Sequence, residues 1–152
     1  MKLNEHLTLD RRRREFAVFL EEMEPVLSDF AGRLGLPNPN TATTEPEKFL
    51  EPVDAFMKEQ IISDEDRIWI LARVAYLIGQ VLNQRLEGTW LLNENPNSLF
   101  FLRYVVGRFK RVRNPQATVD PFDVSTAFLS QPPGRSLAGI ISEVEQECLR
   151  HQ

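Results

Sequence analysis

Between Asp64 and Leu86 the chain places apolar residues on nearly every side of a prospective helix: Ile68, Trp69, Ile70, Leu71, Val74, Ala75, Leu77, Ile78, Val81 and Leu82. A helix that is apolar all round has to be covered on several sides. The rest of the chain must therefore wrap it, and it is the expected central element of the core. Ser63 with Asp66 opens it, and Asp64, Glu65 and Asp66 suit the positive end of its dipole. Gly88 is expected to end it.

The flanking segments supply the wrapping. Asp10 is expected to cap a first helix with Phe16, Phe19, Leu20, Met23, Leu27, Phe30 and Leu34 on one face. Pro25 removes one backbone hydrogen bond inside it, but the apolar phase passes through unbroken, which predicts one bent helix closed by Gly35. A loop over 36–44 follows, rich in Pro, Asn and Thr. Thr44 with Glu47 reads as a capping box for a second helix that buries Phe49, Val53, Phe56 and Met57, with Pro52 bending or breaking it.

After Gly88 the pattern changes. Thr89–Leu92 favours a strand, Asn93–Ser98 a turn, and Leu99–Val106 is aromatic and β-branched like a buried strand. A helical reading of 99–111 stays open, because a short apolar run does not separate the two states. Asp120 with Pro121 starts another helix. Ser136 caps a last one facing inward through Leu137, Ile140, Ile141, Val144 and Cys148. The expected fold is α+β: a mostly helical single domain over residues 1–152, with a small antiparallel element between the central helix and the C-terminal helices. A length of 152 residues fits one such unit.

Composition narrows the chemistry. Hydrophobic residues at 42% and charged residues at 26% match a globular rather than a disordered chain. Cys148 has no partner for a disulfide, and as a lone cysteine on an apolar face it reads as a buried structural residue. His6 and His151 sit at opposite ends, without the spacing of zinc ligands or of a nucleophile–base pair. The seven glycines form no phosphate loop, and most carboxylates lie on outward helix faces or at helix starts. No stretch reaches the ~20 apolar residues of a membrane span, and the polar, basic start of the chain is unlike a secretory signal. The expectation is a cytoplasmic protein with no catalytic residue, cofactor, metal or membrane partner. The alternative enzymatic reading is a small-molecule enzyme with a carboxylate site.

Charge is unevenly spread. The total is −4, yet Asn95–Val119 holds no acid and five cations: Arg103, Arg108, Lys110, Arg111 and Arg113. Glu45–Asp66 holds eight acids against two lysines. The cationic segment is interleaved with Phe100, Phe101, Tyr104 and Phe109. The first reading is that these rings are core and the cations neutralise the acidic second and third helices; the same mixture suits single-stranded nucleic acid and protein hot spots. A nucleic-acid domain usually has a basic total, so an unidentified protein partner is the first expectation and nucleic acid the alternative. Glu45–Asp66 is a second candidate surface. Arg11–Arg14 is a second basic run, at a helix start where cations oppose the dipole. Trp90 is expected to anchor the core.

Tyr76-Leu77-Ile78-Gly79, Gly88-Thr89-Trp90 and Asp120-Pro121-Phe122 together resemble a group of small bacterial proteins of unknown function. The matching pattern covers about a third of the chain and omits Arg108–Arg113. The resemblance implies an α+β fold and a bacterial cytoplasmic origin, with no activity or catalytic residue to carry over. Some similar small acidic domains act as immunity or partner-binding proteins beside toxins, which adds to the expectation of binding.

Overall fold

The computed structural model describes residues 3–150, and for residues 3–7 the backbone alone. His6 and His151 fall outside the described side chains. The first helix, α1, spans Leu3–Arg33. Asp10 does not cap it. The apolar stripe already includes Leu9, which is buried, so the helix begins earlier and Asp10 instead accepts a hydrogen bond from Arg13. Pro25 sits on the exposed face, and the helix continues past it. Its end closes as the pattern predicts. Gly35 adopts φ 73°, its amide donates to Gly32 and that of Leu36 to Ala31, the paired bonds of a Schellman cap.

The second helix, α2, spans Glu47–Lys58 and runs through Pro52. The predicted capping box is absent. Thr44 bonds back to the Thr41 carbonyl, and the Glu47 carboxylate is drawn to Arg85 at 2.6 and 3.1 Å. Val53 and Met57 are buried, but Phe56 is 43% exposed, off the inward face.

The central helix, α3, spans Asp64–Leu86, and Ser63 accepts from the Asp66 amide as expected. It is buried from Val74 to Gly79 and again at Val81 and Leu82 but only half covered over its first turns, where Ile68 is 81% exposed. The left-handed residue that ends it is Glu87, φ 54°, rather than Gly88.

Strands β1 (Thr89–Leu92), β2 (Tyr104–Gly107) and β3 (Thr118–Val119) form an antiparallel sheet in that order. Trp90 pairs with Val106, which pairs in turn with Val119. The second strand starts five residues later than its composition predicts. Asn93, Asn95 and Ser98 accept hydrogen bonds from the amides of Asn95, Asn97 and Phe100, and these local bonds compete with extension. The helical alternative for 99–111 is not the one adopted, and β3 was not foreseen.

Helices α4 (Pro121–Leu129) and α5 (Leu137–Arg150) complete the fold. Asp120 caps α4 through the amides of Phe122 and Asp123. Ser136 caps α5 through Gly139, and buried Asp54 reaches across from α2 to accept from the Leu137 amide at 2.6 Å. The domain is therefore mostly helical α+β, with α3 touching α1, α2, α4, α5 and the first two strands.

Candidate functional site

After β2 the chain turns back onto the end of α3. The amides of Lys110 and Arg111 donate to the carbonyls of Glu87 and Leu86 at 3.1 and 3.2 Å, satisfying acceptors that a helix C-terminus leaves open. Phe109 and Val112 turn inward and are buried. The Phe109 ring occupies the space that a β-carbon on Gly88 would need, which is why glycine is required there although Glu87 takes the left-handed turn. With those two side chains anchored, Arg108, Lys110, Arg111 and Arg113 are left exposed. The loop is a basic surface pinned from beneath.

The five predicted binding residues divide. Arg103 stands before β2 and pairs with Asp120 at 3.1 Å and Asp123 at 2.9 Å. It fastens the sheet to the start of α4. Burial pushes the Asp120 carboxyl upward, opposed by the Arg103 bond and by the Phe122 amide. Arg111 pairs with Glu87 at 3.1 Å. Among the described residues, Arg108, Lys110 and Arg113 have no carboxylate within ion-pair distance. The predicted five-residue patch thus reduces to three unengaged cations on one loop.

Arg108 adds two features. Its φ is 53°, a left-handed backbone that costs a non-glycine residue about 1–2 kcal/mol. It also lines a polar cleft of about 480 Å³ with Glu94, Ser98, Phe100 and Gln116.

The interleaved aromatics serve the interior. Phe109 is in the core, and Phe100, Phe101 and Tyr104 are half-buried. Tyr104 joins Phe16 and Phe19 of α1, with ring centres 5.3 and 4.7 Å away. Phe19 also meets Tyr76, Trp90 and Phe122. The Tyr76 hydroxyl donates to the Phe19 carbonyl at 2.6 Å, and burial pushes its pKa up to about 12. Trp90 is 9% exposed and donates to Gln80, which makes it the expected anchor.

Most of the other candidates are absorbed into the fold, while Arg14 is exposed and has no ion pair among the described residues. Arg12 donates twice to the Leu102 carbonyl and lies 4.2 Å from the Tyr104 ring centre. Arg13 bonds Glu94 at 2.6 Å, and Arg11 pairs with Glu15. In the acidic region, Glu45 pairs with Lys48, Glu47 with Arg85, and Asp54 is the buried cap on α5. Asp64, Glu65 and Asp66 form the first turn of α3. Cys148 is half-buried, and burial followed by Glu147 and Glu145 raises its thiol pKa, the reverse of what a reactive thiolate needs. Among the described residues no three metal-binding side chains cluster, and no helix is long and apolar enough to cross a membrane.

Two buried charged residues escaped the sequence reading. Arg135 is 5% exposed and donates to the carbonyls of Met57, Gln60 and Gln131. Asp54, 8% exposed, caps α5. Neither has a periodic signal, since each satisfies backbone groups distant in sequence. The residues behind the family resemblance are packing positions too: Gly79 makes room for the Trp90 ring and Gly88 for Phe109, and Phe122 meets Phe19. No family model, curated protein or solved structure matches the chain.

Proposed function

We propose that this protein is a binding domain that engages the acidic surface of a protein partner through Arg108, Lys110 and Arg113. The observation that carries the reading is the contrast in engagement: three cations on a pinned loop have no ion pair, in a chain whose total charge is −4. A loop already fixed by Phe109, Val112 and two backbone bonds loses little freedom on binding. The arginines are also of a type enriched at hot spots. A cytoplasmic, immunity-type role beside a partner protein accords with this chemistry. Nucleic acid is the weaker reading, because stacking on bases needs aromatic faces and the neighbouring rings are buried or half-buried.

The test is affinity capture from lysate with and without nuclease. A partner protein retained after nuclease supports the proposal. Capture that disappears with nuclease transfers the site to nucleic acid.

A further inference from the structure

The polar cleft of about 480 Å³ beside Arg108 is lined by the turn after β1, by Arg108 itself and by Gln116 and Thr118. The oxygens of the turn are already taken. Asn93, Asn95 and Ser98 accept from the backbone amides of Asn95, Asn97 and Phe100. Donors are left over. Among the described residues, the side-chain amide nitrogens of Asn95 and Gln116 and the guanidinium of Arg108 donate to no other group of the chain. Spent acceptors and spare donors suit a ligand that only accepts hydrogen bonds, and an ionised carboxylate is such a group.

Charge and backbone agree with this. Glu94, the acid of the cleft, is already held by Arg13 at 2.6 Å, whereas Arg108 has no ion pair. One uncompensated positive charge matches one carboxylate, and a phosphate dianion would bring a second negative charge against Glu94. Gly107 stands one residue earlier, yet the left-handed backbone falls on Arg108. A long charged side chain is thus kept where glycine would sit relaxed, as happens at functional positions.

We propose that the cleft is a carboxylate site that receives an Asp or Glu side chain of the partner. Arg108 is its charged donor, and the Asn95 and Gln116 amides are its neutral ones. An arginine presents paired donors that match the two oxygens of a carboxylate. The inference rests on the reading that Arg108 engages an acidic protein. It adds that the contact is one pocketed side chain rather than a diffuse attraction between surfaces.

The probe is a short Asp–Ser peptide with both ends blocked. It is compared with its Asn–Ser counterpart, with an Asn–Ser peptide ending in a free carboxylate, and with inorganic phosphate. Titrations followed by amide chemical shifts should move Asn95, Phe100, Arg108 and Gln116. The two Asn–Ser peptides and phosphate should each bind about tenfold more weakly, a difference of about 1.4 kcal/mol. Arg108→Gln should weaken the Asp–Ser peptide by a similar factor, and Gln116→Leu, at an exposed position, by about threefold. Arg14→Gln, which removes an exposed cation elsewhere, should change nothing. Four results overturn the proposal: no shift at the cleft, equal binding of either Asn–Ser peptide, phosphate binding more tightly than the Asp–Ser peptide, or indifference to both cleft variants. The two readings fail separately. Partner capture that needs the loop cations, with no peptide bound in the cleft, refutes the carboxylate site alone. Peptide binding in the cleft, with capture indifferent to those cations, upholds the site and refutes the proposed function.

Discussion

Arg11–Arg14 and Arg108–Arg113 look alike as strings of basic residues, but the fold uses them differently. In the first, Arg12 and Arg13 reach across to Leu102 and Glu94, and Arg12 covers the Tyr104 ring, so the run ties α1 to the loop between β1 and β2. In the second, the tying is done by Phe109, Val112 and backbone amides, and Arg111 alone has an ion pair. Where side-chain cations hold the fold, they are committed. Where apolar side chains and the backbone hold it, cations on the same segment are free for a partner.

The largest effect expected from breaking this contrast comes from Phe109→Ala, which removes the anchor beneath the loop. It should cost about 3–5 kcal/mol in chemical denaturation. Arg12→Ala comes next. Loss of two charged hydrogen bonds and a ring contact should destabilise by about 2 kcal/mol. Arg113→Ala, by contrast, should stay within about 0.5 kcal/mol of wild type, as exposed substitutions usually do. Equal losses for Arg12→Ala and Arg113→Ala would erase the distinction.

Arg108→Gly sharpens it from the other side. Glycine adopts the left-handed region freely, so this variant should gain about 1 kcal/mol of stability while weakening partner capture. A loss of stability would mean that the Arg108 side chain supports the loop.

The smallest effect concerns Asp120, the buried partner of Arg103. Because burial raises the Asp120 pKa above its ordinary 3.8, the folded chain takes up a proton there before the unfolded chain does. That contribution to stability grows as the pH falls and is lost as it rises through the folded-state value. Wild type should therefore gain on Asp120→Asn, which keeps a capping side chain, between neutral pH and about pH 4. A constant difference over that range would remove burial as the dominant influence on Asp120.

Much of the fold was legible in local pattern. The bounds of α3, strand β1, the Asp120 and Ser136 caps and the Gly35 terminus follow from periodicity and capping chemistry. What failed was decided by tertiary contact. Glu47 left its capping box for Arg85, and Arg103 and Arg111 found their carboxylates at Asp120, Asp123 and Glu87 rather than in the acidic 45–66 stretch, while the aromatics between the cations pack inward as expected. The candidate site was legible as a charge anomaly but not in its membership. Which arginines are paired depends on Asp120, Asp123 and Glu87, and no sequence period brings these to Arg103 and Arg111.

The most direct measurement of the central claim is parallel capture by wild type, by Arg108→Glu/Lys110→Glu/Arg113→Glu and by Arg11→Glu/Arg14→Glu, each shown to be folded and nuclease-treated. The account predicts that the loop variant alone loses the protein partner that wild type retains. The same partner held equally by all three would contradict it.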